Sequence, residues 1–157
     1  MMTENTRMKN MKTKNMKTEN TSKENMKTVN MKTVNMKAVT KRKMRLGIID
    51  YIDSAHYLPG HGKCGRVHGH TYKIEVVIEG EVQENGMVID FYDLKKGVKE
   101  TLEEYDHRLL NDLIEFPSSE HLCQQVHVHL FEKFGFPLKV RVWEGEGKWC
   151  ELDNFSK

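Results

Sequence analysis

The chain has 157 residues, of which 25 are Lys or Arg and 23 are Asp or Glu, so its formal net charge is only +2. This sum hides a division, because residues 1–43 carry a local net charge of +9 and residues 44–157 carry −7. The longest apolar run is far short of the ~20 residues that a membrane-spanning helix needs. The three cysteines are too few for a disulfide framework, and they favour a reducing, cytoplasmic location.

The basic N-terminal segment, residues 1–43, is dominated by a five-residue repeat. Residues 10–39 read as successive blocks such as NMKTK and NMKTV. A period of five matches neither a helix nor a strand, so no continuous apolar face forms and we expect a disordered tail. Its charge leaves open an electrostatic contact with RNA or an acidic surface, although a solvated tail without a role is the simpler interpretation. A further interpretation is that Met44 is the true start of the protein.

The first part of the remaining chain predicts two strands and a turn. Residues 44–57 form an extended apolar stretch, and residues 71–80 alternate between apolar and polar side chains, as a half-buried strand does. Asn85 and Gly86 are a strong turn signal, and residues 87–89 follow as a short extended run.

The second part predicts two helices and a closing hairpin. Asp90 can cap a helix whose apolar residues follow at helical spacing as far as Tyr105. A second helix begins near residues 117–120 and ends before Gly135. Residues 138–143 and 148–152 then form two strands. The order ββααββ predicts an α+β fold with an antiparallel four-stranded sheet. Two helices cover such a sheet thinly, so its edge strands favour a homo-oligomer.

Three histidines predict a metal site. His68 and His70 stand two residues apart at the entry to a strand, where alternate side chains share a face and can reach one ion. His56 ends the preceding strand and would lie beside them if the two strands pair. Three imidazoles with an open fourth position are typical of catalytic zinc. Cys64 as a fourth ligand would instead close the site and make it structural, and exposed loop histidines without a metal are the other alternative.

Asp106 and His107 follow the first predicted helix and are candidates for acid–base chemistry. Side chains of adjacent Asp and His residues do not pair easily, so we expect them to serve a third group, with His107 as base and Asp106 orienting. A nearby thiol such as Cys64 would be activated by them, because the thiolate is the reactive form. Spacing alone favours a simpler interpretation, a polar helix terminus.

Glu144 ends the third predicted strand and enters a glycine-rich turn. A carboxylate in this place could accept two hydrogen bonds from a guanidine-like edge of a heterocycle. A glutamate at the end of a strand is, on the other hand, usually just solvated.

Taken together, these residues resemble the 6-pyruvoyl- and 6-carboxy-tetrahydropterin synthase family from residue 44 to the C-terminus. The matching stretches occur in family order: residues 54–56, 63–70, 86–91, 106–107, 110–112, 117–120 and Glu144. The resemblance implies a T-fold, in which two hairpins flank two helices and subunits close into an oligomeric barrel. It also implies a homohexamer with active sites at the subunit interfaces. The N-terminal repeat has no counterpart in the family pattern.

The resemblance also implies roles for particular residues. It implies Zn²⁺ held by His56, His68 and His70, and a catalytic set of Cys64, Asp106 and His107. It implies a pterin anchored by Glu144, with Ser118, Ser119 and Glu120 also binding the substrate. Ser118 stands where the family often has Thr, and we expect little change because both carry a hydroxyl.

The short spacing between Cys64 and the His-Gly-His stretch is similar to that of the carboxy branch of the family. That branch implies conversion of 7,8-dihydroneopterin triphosphate to 6-carboxy-5,6,7,8-tetrahydropterin, with loss of triphosphate and acetaldehyde, in the synthesis of queuosine or archaeosine precursors. The alternative is the pyruvoyl activity, which eliminates triphosphate without losing acetaldehyde. Cys64 argues against a third branch that has Glu in this place. A remote alternative is a non-catalytic, zinc-stabilised scaffold whose tail binds RNA.

Overall fold

The computed structural model describes residues 42–156, which form one four-stranded sheet and two α-helices. The elements in chain order are β1 (Lys43–His56), β2 (His68–Glu81), α1 (Phe91–Leu102), a short 3-10 helix (Leu110–Asp112), α2 (Ser119–Phe134), β3 (Leu138–Glu144) and β4 (Trp149–Asp153). This order confirms the predicted ββααββ arrangement and the α+β class. The repeat of residues 10–39, and the roles considered for it, lie outside the described residues.

The sheet has the strand order β1-β2-β3-β4, and every neighbouring pair is antiparallel. β1 and β2 pair along their whole length, from Lys43 opposite Glu81 to His56 opposite His68. Among residues 42–156, β1 and β4 each have only one neighbouring strand, so both are edges of the sheet. The edge of β1 is open except near Asp53 and Ala55, whose backbone groups bond to the turn after α1. Open edges are the feature from which the sequence predicts association of subunits.

One face of the sheet carries the core because the helices cover only that face. Tyr72, Ile74, Val76 and Ile78 alternate along β2 and are fully buried. Their neighbours on the other face are polar or half-exposed, as expected for a sheet covered on one side.

Helix α1 begins at Phe91 and is capped by Asp90, whose side chain accepts a hydrogen bond from the Tyr92 backbone N–H at 2.7 Å. It ends at Leu102, earlier than the apolar spacing predicts, although Tyr105 in the following turn is still only 3% exposed. Gly97 lies in the middle of this helix because a Cβ atom there would collide with the Phe134 ring of α2. The glycine therefore permits close packing of the two helices.

Helix α2 begins after Ser118, which caps it, and ends at Phe134, before Gly135, which has a left-handed φ of 67°. The predicted bounds of this helix are confirmed. Neither helix in the described part of the chain combines the length and apolar character that crossing a bilayer requires.

The extended run expected at residues 87–89 is not a strand. The segment is a loop that follows the turn at Gly86, and the Gln83 N–H donates to the Met87 carbonyl at 2.8 Å. Val88 is buried against Gly80. Val88 and Ile89 therefore pack at the edge of the core without joining the sheet, whereas Met87 is exposed.

Candidate metal and active site

The pairing of β1 with β2 brings three imidazoles together. His56 lies directly opposite His68, as the sequence predicts, and His70 points to the same face two residues further along. One ligand atom from each of these rings lies within 4.8 Å of the other two. Among residues 42–156, the groups close enough to share an ion in this way are these histidines, and Cys64 is not one of them.

Backbone carbonyls orient two of the rings. The Nδ1 atom of His56 lies 2.7 Å from the Pro117 carbonyl, and that of His68 lies 2.7 Å from the Arg66 carbonyl. Since a carbonyl can only accept, each Nδ1 carries the hydrogen, and in the neutral ring Nε2 then keeps the lone pair that can bind a metal. A hydrogen bond from the second ring nitrogen is how metal-ligating histidines are usually held.

The free nitrogens fit a metal ion. The Nε2 atoms of His56 and His70 are buried without a hydrogen-bond partner among the described residues. Burial lowers the pKa of His70; Glu144 opposes this shift, whereas His56 and His68 add to it. The neutral imidazole that results is the form that binds metals.

Glu144 stands beside the histidines at the end of β3, opposite Tyr72 of β2. Its Oε1 atom lies 3.4 Å from Nε2 of His70. Ser119 donates to Oε2 at 2.7 Å and Lys148 donates to Oε1 at 3.0 Å. Burial alone would raise the pKa of Glu144, but these two donors outweigh it and the pKa is lowered. The carboxylate is therefore ionised at neutral pH and can accept further donors.

The N-terminus of α2 joins the histidines to a small cleft. Pro117 holds His56, Ser118 accepts from the His121 N–H at 3.4 Å, and Ser119 holds Glu144. The cleft has a volume of about 220 Å³ and is lined by Leu58, Ser118, Ser119, Glu120, Glu144, Lys148, Trp149 and Cys150. The four residues named from the family resemblance as substrate-binding thus line one cleft next to the histidines.

Asp106 and His107 lie in the turn after α1, which is fastened to the end of β1. The Asp53 N–H donates to Asp106 Oδ1 at 2.9 Å, and the His107 N–H donates to the Asp53 carbonyl at 2.7 Å. The Ser54 hydroxyl donates to the Tyr105 carbonyl at 2.6 Å. These bonds fix the turn against the open edge of β1.

The expectation that Asp106 and His107 do not pair with each other is wrong. Asp106 Oδ2 lies 2.9 Å from Nδ1 of His107. His107 has a φ of 55°, in the left-handed region that residues with a side chain rarely adopt, and this turns its ring back towards its neighbour. The hydrogen bond from the Asp53 N–H, with the contribution of His107, lowers the pKa of Asp106. The pair is thus an ionised carboxylate holding an exposed imidazole.

Cys64 lies half-buried in the loop between β1 and β2. The Leu58 N–H donates to the Cys64 carbonyl at 2.8 Å, and the Cys64 N–H donates to His61 Nδ1 at 3.0 Å. Within the described residues, no hydrogen bond or ion pair joins Cys64 to Asp106 or His107. A single chain therefore assembles the histidines with Glu144. His107 lines a cavity of about 600 Å³ together with His70, but in the described part of the chain the Asp106–His107 pair does not contact Cys64.

Sequence reasoning missed two residues at this site. Lys148 contacts Glu144. The Gly-Glu-Gly turn between these two residues could have predicted the contact, because a tight turn places the residues on its two sides opposite each other. Ser54 belongs to a stretch that matches the family, but nothing in the sequence indicates that its hydroxyl binds a carbonyl 51 residues away.

Comparison with known proteins shows which family the chain belongs to. The family model described as 6-pyruvoyl tetrahydropterin synthase matches residues 45–154, and the chain belongs to this family. A relative from Archaeoglobus fulgidus, provisionally named 6-carboxy-5,6,7,8-tetrahydropterin synthase, is 49% identical over 112 residues, which are 71% of this chain and 97% of the relative. The dihydroneopterin monophosphate aldolase of Pyrococcus furiosus is 36% identical over 90 residues, 55% of this chain and 78% of that protein.

A solved structure confirms the fold. The 6-pyruvoyl tetrahydropterin synthase of Caenorhabditis elegans superposes with a TM-score of 0.66 at 24% identity, covering 74% of this chain and 99% of that chain. The predicted T-fold is therefore confirmed for the subunit.

Proposed function

We propose that this protein is a zinc-dependent 6-carboxy-5,6,7,8-tetrahydropterin synthase acting on 7,8-dihydroneopterin triphosphate. The observation that carries the proposal is the placement of Glu144 only 3.4 Å from His70, beside histidine nitrogens that are free to bind a metal. Membership of the family and the name of the Archaeoglobus relative support it.

His56, His68 and His70 would hold the metal. Three neutral imidazoles suit Zn²⁺, although they also accept other divalent ions. When bound there, Zn²⁺ would supply a Lewis acid that lowers the pKa of the hydroxyl groups on the substrate side chain.

Glu144 would hold the pterin ring. Its ionised carboxylate can accept two hydrogen bonds from the 2-amino group and N3–H of the ring, which fixes the ring in one register. Ser119 orients the carboxylate through Oε2, and Ser118 and Glu120 line the same cleft.

Cys64, as a thiolate, would remove a proton from the substrate side chain. His107, oriented by Asp106, would carry protons during elimination of triphosphate and cleavage of the carbon–carbon bond. Water is consumed, and the products are 6-carboxy-5,6,7,8-tetrahydropterin, triphosphate and acetaldehyde. This product is a precursor of 7-deazapurines, and we place the reaction in the cytoplasm, where free cysteines such as those of this chain persist.

The complete site would form between subunits. Within the described part of one chain, His107 and His70 line the same cavity of about 600 Å³, but neither Asp106 nor His107 contacts Cys64. A second copy can therefore supply the Asp106–His107 pair for a given Cys64. The open edges of β1 and β4 would join copies into the barrel, and we propose a homohexamer.

Product analysis tests the reaction. The zinc-loaded protein is incubated with 7,8-dihydroneopterin triphosphate, and the products are identified by mass spectrometry. We expect 6-carboxy-tetrahydropterin with acetaldehyde. The alternative, 6-pyruvoyl-tetrahydropterin without acetaldehyde, would show that the spacing between Cys64 and the histidines does not decide the chemistry.

The division of roles is tested by Cys64→Ala. We expect this variant to keep its zinc and to lose turnover. Loss of zinc would make Cys64 a ligand and would contradict its assignment as the base.

A further inference from the structure

Tyr105 directly precedes the Asp106–His107 pair and attaches it to the core. Along these three residues the chain passes from the interior to the surface, because Tyr105 is buried, Asp106 is half-buried and His107 is exposed. The side chain of His107 is 78% exposed, so packing does not hold it. Its position therefore depends on how the preceding residues are fixed.

Tyr105 is held from two directions. Its carbonyl accepts from the Ser54 hydroxyl of β1 at 2.6 Å, and its own hydroxyl lies 2.9 Å from Nδ1 of His129 on α2. The centroids of the Tyr105 and His129 rings are 6.0 Å apart, and the ring planes are 31° from parallel. One hydrogen bond thus fastens the turn to the sheet, and the other fastens it to α2.

The hydroxyl of Tyr105 keeps its hydrogen. Burial raises the pKa of Tyr105 to about 12, and the charge of Glu104 adds to the shift. A neutral phenol can donate to Nδ1 of a neutral imidazole and accept from Nδ1–H of a protonated one, so the contact persists in both forms of His129. Oε2 of Glu104 also approaches this Nδ1, but 3.7 Å is too long for a hydrogen bond.

The backbone conformation of His107 requires support. Its φ of 55° is one that residues with a Cβ atom rarely adopt, and it persists only where surrounding contacts impose it. The contacts from β1 come from three consecutive residues, 53–55. They hold the turn along one line, about which it could still rotate. The bond between Tyr105 and His129 comes from another element, α2, and opposes that rotation.

We propose that Tyr105 and His129 are positioning residues for the Asp106–His107 pair. The hydrogen bond between the phenol and the imidazole ties the turn to α2 and keeps His107 in the conformation that places its ring on Asp106. The proposal rests on the proposed function, in which His107 carries protons. Neither Tyr105 nor His129 is assigned a contact with substrate or metal, so both act only through the pair.

Kinetics of the full-length, zinc-loaded protein with 7,8-dihydroneopterin triphosphate test this role. Tyr105→Phe and His129→Leu should each lower kcat by about 5- to 10-fold, as expected for one hydrogen bond, while KM stays within about twofold of the wild type. Both changes remove the same bond, so the double variant should be no slower than the slower single variant. Tyr92→Phe, at an exposed tyrosine of α1, is the matched control and should behave as the wild type.

Three kinetic results would overturn the proposal. The first is a wild-type kcat in both single variants. The second is a rise in KM as the main effect, because a misplaced proton carrier should slow the chemistry and leave substrate binding unchanged. The third is a double variant in which the two effects multiply, because the two residues would then not act through one bond.

Hydrogen exchange, followed by mass spectrometry at pH 7, tests the same contact without substrate. The peptide of residues 103–109 contains the amides of the turn, including the His107 N–H that donates to Asp53. It should exchange about 5- to 10-fold faster in Tyr105→Phe and His129→Leu than in the wild type and Tyr92→Phe. The peptide of β3, residues 138–144, should not change. Equal acceleration of both peptides would indicate general destabilisation and would also overturn the proposal.

The two measurements separate this proposal from the proposed function. If the turn exchanges faster in the variants but the wild type does not convert the substrate, the proposed function is refuted and the hold of His129 on the turn stands. If the wild type converts the substrate and neither kcat nor exchange of the turn responds to the substitutions, only the positioning role is refuted.

Discussion

Gly65 offers a direct test of whether the conformation of the β1–β2 loop matters for function. A Cβ atom at Gly65 would lie 2.5 Å from the backbone oxygen of His61, whereas ordinary contact begins at 3.4 Å. The obstacle is backbone and not a flexible side chain, so Gly65→Ala must open the loop by roughly 0.9 Å. Cys64 is the adjacent residue and would move with it.

The expected cost follows from the hydrogen bonds that close the loop. Those from Leu58 N–H to Cys64 and from Cys64 N–H to His61 would be strained or lost, at about 1 kcal/mol each. Replacing a glycine by alanine stabilises the protein by about 0.5–1 kcal/mol, because it lowers the conformational entropy of the unfolded chain. We therefore expect a net destabilisation of about 1–1.5 kcal/mol. A displacement of this size at a reacting group lowers kcat by about 100-fold.

The loop also contains its own control. A Cβ atom at Gly62 meets nothing within 4 Å, so Gly62→Ala should leave both stability and kcat close to the wild type. The free energy of unfolding is measured in urea, kcat is measured with dihydroneopterin triphosphate, and alkylation of Cys64 is followed by peptide mass spectrometry. Equal behaviour of Gly65→Ala and Gly62→Ala in all three measurements would refute the reasoning.

Three further predictions concern the turn and the metal. Ser54→Ala leaves the buried Tyr105 carbonyl without its donor, so the free energy of unfolding in urea should fall by about 1–3 kcal/mol and kcat should fall more than KM rises. His56→Ala removes one of three ligands, so zinc affinity measured by dialysis should fall by at least about 100-fold. The pKa of Asp106 is lower in the folded protein than in the unfolded chain, where it is about 3.9. The ionised carboxylate therefore stabilises the folded state above pH ~3.9. This stabilisation is lost as the pH falls through the pKa of Asp106 in the folded state. Thermal melts from pH 7 to pH 2 should therefore show a steeper loss for the wild type than for Asp106→Asn.

Each of these predictions has a control and a contrary result. Ser156→Ala, at an exposed serine, should change nothing; if Ser54→Ala matches it, the bond to Tyr105 is unimportant. His121→Ala, at an exposed histidine, should retain zinc, and zinc retained equally by His56→Ala would argue against the three-histidine site. A difference in melting temperature between wild type and Asp106→Asn that does not vary with pH would contradict the sign worked out above.

The sequence was sufficient for the fold because local patterns agree with the tertiary structure. Alternation along β2 and helical spacing along α1 and α2 each bury one face, and caps at Asp90 and Ser118 mark where helices begin. The prediction of an extended run at residues 87–89 was wrong because a short apolar stretch can pack against a core without joining a sheet. Periodicity cannot separate these two outcomes over three residues.

The metal site was predictable to the same extent, because strand geometry decides which side chains share a face. His68 and His70 must point the same way, and a hairpin that pairs β1 with β2 must bring His56 to them. Their carbonyl partners at Pro117 and Arg66 were not predictable, since they depend on where a helix start and a loop come to rest.

By itself, the sequence determined the element order, the apolar face of each element and the three histidines that converge, because these follow from periodicities of 2.0 and 3.6 residues. Only the tertiary structure decided that Lys148 lies beside Glu144 and that the left-handed backbone of His107 turns its ring onto Asp106. It alone placed that pair at the edge of the sheet, where His107 and His70 line one cavity. Such contacts depend on how turns and distant elements pack together, and no local pattern of residues encodes them.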